Sequence, residues 1–123
     1  RDSIGPKGHL IKGDFRQSAV LAKCEPYNPV CVAVIDCNLL SSIKVSTSYC
    51  LSHLVKGGVL FVDDFFTNFG AGVPRVPCML DSLARERGVT LIPHGTYPPF
   101  AKSFVVVQPG AENEKMWPRR EAS

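Results

Sequence analysis

GGVLFVDDFF, from Gly57 to Phe66, carries four apolar residues straight into two adjacent aspartates and then turns apolar again. An unbroken apolar run of this length reads as a strand buried on both faces, the habit of a parallel sheet clothed by helices. The two carboxylates at its end repel each other and resist burial. Asp63 and Asp64 therefore need a reason to be there.

The same pattern occurs one helix earlier. VCVAVIDC (30–37) is a second apolar, β-branched run, and Asp36 ends it. Between the two runs, Ile43, Thr47, Cys50, Leu51, Leu54 and Val55 share one helical face by their spacing. Ser41 or Ser42 is placed to cap this helix, and Gly57-Gly58 to end it in a left-handed turn.

Outward from this unit, HLIKGDF (9–15) reads as a short strand, RQSAVLAKC (16–24) as about two helical turns, and EPYNP (25–29) as a loop. After the Gly- and Phe-containing loop 65–75, Pro74 or Pro77 can open another helix. Val76, Leu80, Leu83 and Ala84 form its apolar face, and Gly88 closes it. VTLIP (89–93) and SFVVVQ (103–108) are further strands. The link between them, HGTYPPFAK, has too few helix formers for a crossover, so these strands should be antiparallel neighbours. The alternation predicts an α/β fold with a mainly parallel sheet, right-handed crossovers and an antiparallel last strand. A domain over residues 1–108 and a polar, loose tail over 109–123 complete the expectation.

Bulk composition is that of one globular domain: 123 residues, 45% hydrophobic, 20% charged, net charge +3. Lys and Arg are scattered apart from Arg119-Arg120, so no basic stripe points to nucleic acid. No apolar run approaches the ~20 residues of a membrane span. The five cysteines show no CxxC spacing, which suits a reducing, cytoplasmic setting better than a disulfide or zinc framework.

In open α/β sheets, ligands bind beyond the carboxyl ends of the strands. With the two runs as neighbours roughly 5 Å apart, Asp36, Asp63 and Asp64 converge on one sheet edge. A cation or protons must then neutralise them, and hard oxygen ligands suit Mg²⁺, Mn²⁺ or Ca²⁺. The plainer alternative is that each aspartate caps a helix or shapes a turn. Asn38, near the same edge, can bond a ligand or serve the first turn of the helix. A Walker B segment also ends in acidic residues, but no GxxxxGK[ST] loop is present. A receiver-like metal-binding regulator needs a phospho-acceptor Asp on a later strand. The only later Asp is Asp81, inside a predicted helix.

The segment VIDCNLLSSIKVSTSYCLSHLVKGGVLFVDDF (34–65) resembles the second half of class I S-adenosylmethionine-dependent methyltransferases. It is closest to the macrocin-O-methyltransferase-like, metal-dependent sugar O-methyltransferases. IKGDF (11–15) resembles the Gly-Asp segment on that fold's third strand, and FAKSFVV (100–106) its closing strand. The resemblance spans about residues 9–108 and implies a Rossmann-like methyltransferase fold, present here without its first two strands and their Gly-rich cofactor turn. It implies that Asp36, Asp63 and Asp64 hold a divalent metal. That metal would orient two vicinal hydroxyls of a sugar-like acceptor for attack on the methyl of S-adenosylmethionine. Asp14 would lie near the cofactor's adenine.

The chain departs from the family pattern at the base: the second Asp of the strand-end motif is Asn38, whose amide cannot take a proton as a carboxylate does. His94 is the nearest replacement. Lacking the Gly-rich turn, the isolated chain is expected to be inactive, and the alternative implied is a non-catalytic remnant or interaction module. Without the first two strands, the 30–36 strand would have an exposed apolar edge, open to homo-oligomer formation or pairing with another strand.

Overall fold

A computed structural model describes residues 7–67 and 75–110. The elements are α1 (Ser18–Ala22), a 3₁₀ turn (Glu25–Tyr27), β1 (Val30–Ile35), α2 (Leu40–His53), β2 (Leu54–Val62), α3 (Arg75–Arg87), β3 (Thr90–Tyr97) and β4 (Ala101–Gln108). The strands form one sheet in the order β1-β2-β4-β3. β1 and β2 are parallel, β4 runs antiparallel to β2, and β3 antiparallel to β4. The α/β class and the antiparallel last pair agree with the sequence. The sheet, however, is mixed rather than mainly parallel. β4 slots between β2 and β3, so the only parallel ladder among the described residues is β1·β2. A tight three-residue link after Tyr97 dictates this, because it can only fold β4 back beside β3.

Residues 9–15, predicted as a strand, form none. The outer edge of β1 carries no partner strand among the described residues, and an isolated extended segment has nothing to receive its backbone hydrogen bonds.

Strand alternation divides the sheet into two unlike faces. On one, Ala33, Ile35, Leu60, Val62, Phe104 and Val106 pack with Ile43 and Leu51 of α2 and Val76, Leu80 and Leu83 of α3 to form the core. On the other, Val32 and Val34 are each 63% exposed. The expectation that the 30–36 run is buried on both faces is thus corrected: both long helices lie on one side, and α1 borders α2 across a cleft instead of covering the second face.

The helix boundaries also shift from the sequence reading. α2 starts after Leu39, with no side-chain cap, rather than at Ser41 or Ser42. It ends at His53, because Leu54 turns extended and pairs with Val30. Residues 55–58 then form an irregularity before the ladder resumes at Val59, and Gly57 (φ 80°) bends the chain inside it. A Cβ on Gly58 would sit 2.9 Å from the Val55 carbonyl oxygen and 3.0 Å from that of Cys31, so only glycine fits this approach. α3 begins at Arg75 with Pro77 in its first turn, and Gly88 (φ 66°) ends it as expected. Pro74 and residues 111–123 of the tail predicted over 109–123 lie outside the described residues. Gly110 is still buried, against Val89.

Candidate functional site

The parallel ladder pairs Ile35 with Val62, and the Asp63 amide donates to the Ile35 carbonyl at 3.1 Å. The next residue on each strand is an aspartate. Asp36 and Asp63 thus emerge side by side at the carboxyl ends of β1 and β2, near enough to share a hydrogen bond when one is protonated. Loss of hydration, then the charges of Asp64 and Asp36, push the Asp63 carboxyl above its usual range. Two acids crowded at one point in this way are short of positive charge.

Asp64 adds its charge to this edge and also shapes the turn that follows. Its carbonyl accepts from the Thr67 amide at 3.2 Å, and its Oδ1 lies 3.5 Å from Thr67 Oγ1. It shapes the turn leaving β2, which the Phe66 amide closes by donating to the Phe100 carbonyl at 2.9 Å. Among the described residues, no group of three or more His, Cys, Asp or Glu side chains is disposed to hold a metal ion. Asp36 and Asp63 meet at the strand ends, and Asp64, whose charge also acts on Asp63, follows in the turn. Two carboxylates are nonetheless a fitting donor set for Mg²⁺, which usually takes one or two and completes its shell with water and substrate oxygens.

The other sequence candidates are dispersed. Asn38 is exposed in the β1–α2 connection. His94 sits at a register break in β3, between Pro93 and Gly95. Its Nδ1 lies 3.4 Å from Ser103 Oγ, which lies 3.2 Å from the Tyr97 hydroxyl. β4 separates β3 from β2, so the His94 strand is two strand spacings, about 10 Å, from the strand that ends in Asp63 and three from the one that ends in Asp36. Asp14 lies before α1, where Arg16 engages both its carboxylate oxygens, the closest contact being 2.7 Å, and holds its pKa down at about 2. Asp81 is on α3 in an ion pair with Arg85 at 3.0 Å. That is no phospho-acceptor position at a strand end. All five cysteines are free thiols, and burial pushes Cys50 up to about 11, far from a reactive thiolate.

Sequence reasoning missed Lys102. It pairs with Val62, the residue before Asp63. Its ammonium lies 5.2 Å from the Phe65 ring centroid, 5.3 Å from Phe104 and 5.9 Å from Phe66. Those ring faces hold a cation beside the acidic edge. The signal was available in the two phenylalanines directly after Asp63-Asp64, which had to pack on something.

No helix among the described residues is long and apolar enough to cross a membrane. The sequence matches none of the known protein-family models, and no curated protein matches it.

Proposed function

We propose that this chain is the metal- and acceptor-binding part of an S-adenosylmethionine-dependent O-methyltransferase acting on a hydroxyl of a sugar-like or other small acceptor. The observation that carries the reading is the convergence of Asp36 and Asp63 at the carboxyl ends of adjacent parallel strands. The antiparallel last strand supports it. A divalent cation such as Mg²⁺ would supply Lewis acidity, lowering the pKa of a hydroxyl bound to it. Asp36 and Asp63 would hold it, and Asp64 would keep the loop after β2 folded beside them. Asn38 stands at the family's base position and can orient the acceptor but not deprotonate it. His94 is two or more strand spacings away, beyond the reach of a single bridging water, so only a chain of waters would let it serve as base. Free thiols fit a cytoplasmic setting.

Calorimetric titration with Mg²⁺ or Mn²⁺ tests the reading. The expected result is saturable binding by the parent chain that Asp63→Ala abolishes. Absence of heat from the parent, or equal binding by both, overturns it.

A second reading, a non-catalytic interaction module, is favoured by two observations. The 9–15 segment is not a strand, and the Asp14 carboxylate is engaged by Arg16. The uncovered face and outer edge of β1 would then meet a second copy or a strand from another chain. Micromolar binding of S-adenosylmethionine by the chain overturns this second reading.

A further inference from the structure

Away from the acid pair lies a cleft of about 740 Å³ between α1, α2 and α3. α2 and α3 both run back from the carboxyl ends of the strands, so their last turns, which border this cleft, are at the opposite end of the sheet. Lys44, Ser48 and Ser52 recur every fourth residue and form one stripe along α2. Arg87 reaches across from the end of α3. Its guanidinium donates to Ser48 Oγ, and its Nε to Ser52 Oγ at 3.1 Å.

The charge of Arg87 is poorly matched. Its side chain is 29% exposed, and its acid partner, Glu86, stands 3.7 Å away outside the cleft lining and is itself 68% exposed. Neutral hydroxyls fix the fork in place without neutralising it. Lys44 makes no hydrogen bond or ion pair among the described residues. Glu25, the one acid in the lining, has partners of its own in the cleft wall, Tyr49 and His53 among them. It faces the Asn28 amide at 3.3 Å, the Tyr49 hydroxyl at 3.3 Å and His53 Nε2 at 3.6 Å. The cleft therefore has one cation without an ion pair among the described residues, Lys44, and a second, Arg87, fixed by hydroxyls and paired only with an exposed acid, above an apolar floor of Leu21, Val45 and Leu83.

We infer that this cleft binds a small organic phosphate, its phosphoryl oxygens on Arg87, Ser48 and Lys44 and its apolar body on the floor between the helices. With Nε and one Nη2 hydrogen of Arg87 given to the serines, its Nη1–Nη2 edge keeps a second pair of N–H donors that matches phosphoryl oxygens. Ser48 Oγ accepts from Arg87 and keeps its own proton to donate.

The test is an amide-resolved NMR titration of the full chain with phenyl phosphate, benzoate and inorganic phosphate. The expected result is saturable shifts at Ser48, Ser52 and Arg87 with phenyl phosphate, and at least roughly tenfold weaker binding of the other two. Arg87→Gln should weaken phenyl phosphate by roughly ten- to hundredfold. Lys44→Gln should weaken it roughly threefold, and it keeps the test valid if Arg87→Gln fails to fold. Asp63→Ala should leave binding unchanged, which separates this site from the proposed metal site. Shifts that grow without saturating, or that persist equally in Lys44→Gln and in a folded Arg87→Gln, mean an adventitious ion only and overturn the inference. Preference for benzoate likewise overturns the phosphate assignment.

Discussion

The two faces of the sheet are built from the same strands and meet opposite fates. Leu60 and Val62 of β2 are almost fully buried under α2 and α3, while Val32 and Val34 of neighbouring β1 stand mostly in solvent. Alternation alone cannot produce this contrast, since both faces are apolar: Val59 and Val105 pair across the open side just as Leu60 and Phe104 pair across the covered one. What differs is the helical cover. An apolar residue contributes stability only to the extent that something excludes water from it, roughly 25 cal/mol per Å². The open face is therefore apolar surface with its burial still unspent.

The sharpest way to break this comparison is to shorten one residue on each side. Leu60→Ala should destabilise by about 2–5 kcal/mol, a large share of a small domain's total. Val34→Ala should change stability by no more than about 0.5 kcal/mol. Urea unfolding monitored by circular dichroism measures both. A Val34→Ala loss comparable to that of Leu60→Ala, or a midpoint that rises with protein concentration, would mean that a second copy covers the open face in solution.

A smaller effect tests the covered side from within. Thr47 of α2 is buried, and its hydroxyl has no hydrogen-bond partner among the described residues. A buried donor without an acceptor is costly, and an apolar group of the same shape removes that cost. Thr47→Val should stabilise the domain by about 1 kcal/mol, read as a higher urea midpoint at unchanged slope. A loss would show that the hydroxyl has an unrecognised partner.

Much of this was legible in the sequence where burial on one face dictated residue type. The spacing of Ile43, Thr47 and Leu51 identified the inner face of α2, and Val76, Leu80 and Leu83 did the same for α3. The two apolar runs gave β1 and β2. Their continuous hydrophobicity suggested cover on both sides, because composition records that a face is apolar and not whether a helix lies on it. The ends of α2 were misjudged because Leu39 provides no side-chain signal, and Leu54 satisfies helix spacing and strand pairing equally. At the site, strand adjacency brought Asp36 and Asp63 together as the pattern implied. Asp64 is one residue further along, where the chain has already entered the turn closed by Thr67. His94 could not be located from sequence, because which strand lies between β2 and β3 is decided by the fold of the last hairpin.

The two best-defined aspartates set up the last and smallest contrast, since Asp63 and Asp14 should bend the pH dependence of stability in opposite directions. For Asp14, the Arg16 partner lowers the folded pKa to about 2. Its contribution is complete above the unfolded value near pH 4 and is lost as pH falls through about 2. For Asp63, lost hydration and the charges of Asp64 and Asp36 raise the folded pKa. The folded state then holds a proton that the unfolded state releases, so stability is highest below about pH 4 and falls as pH rises through the shifted value. Both groups are solvent-accessible, so each slope should be shallow. Melting temperatures measured from pH 2 to about pH 6, in a chelating buffer to remove divalent cations, separate the two. Asp63→Asn should flatten the decline above pH 4 and leave the acid side alone. Asp14→Asn should do the reverse. If Asp63→Asn leaves the decline intact, the crowding of the acid pair is relieved in solution, and the case for a cation between Asp36 and Asp63 weakens with it.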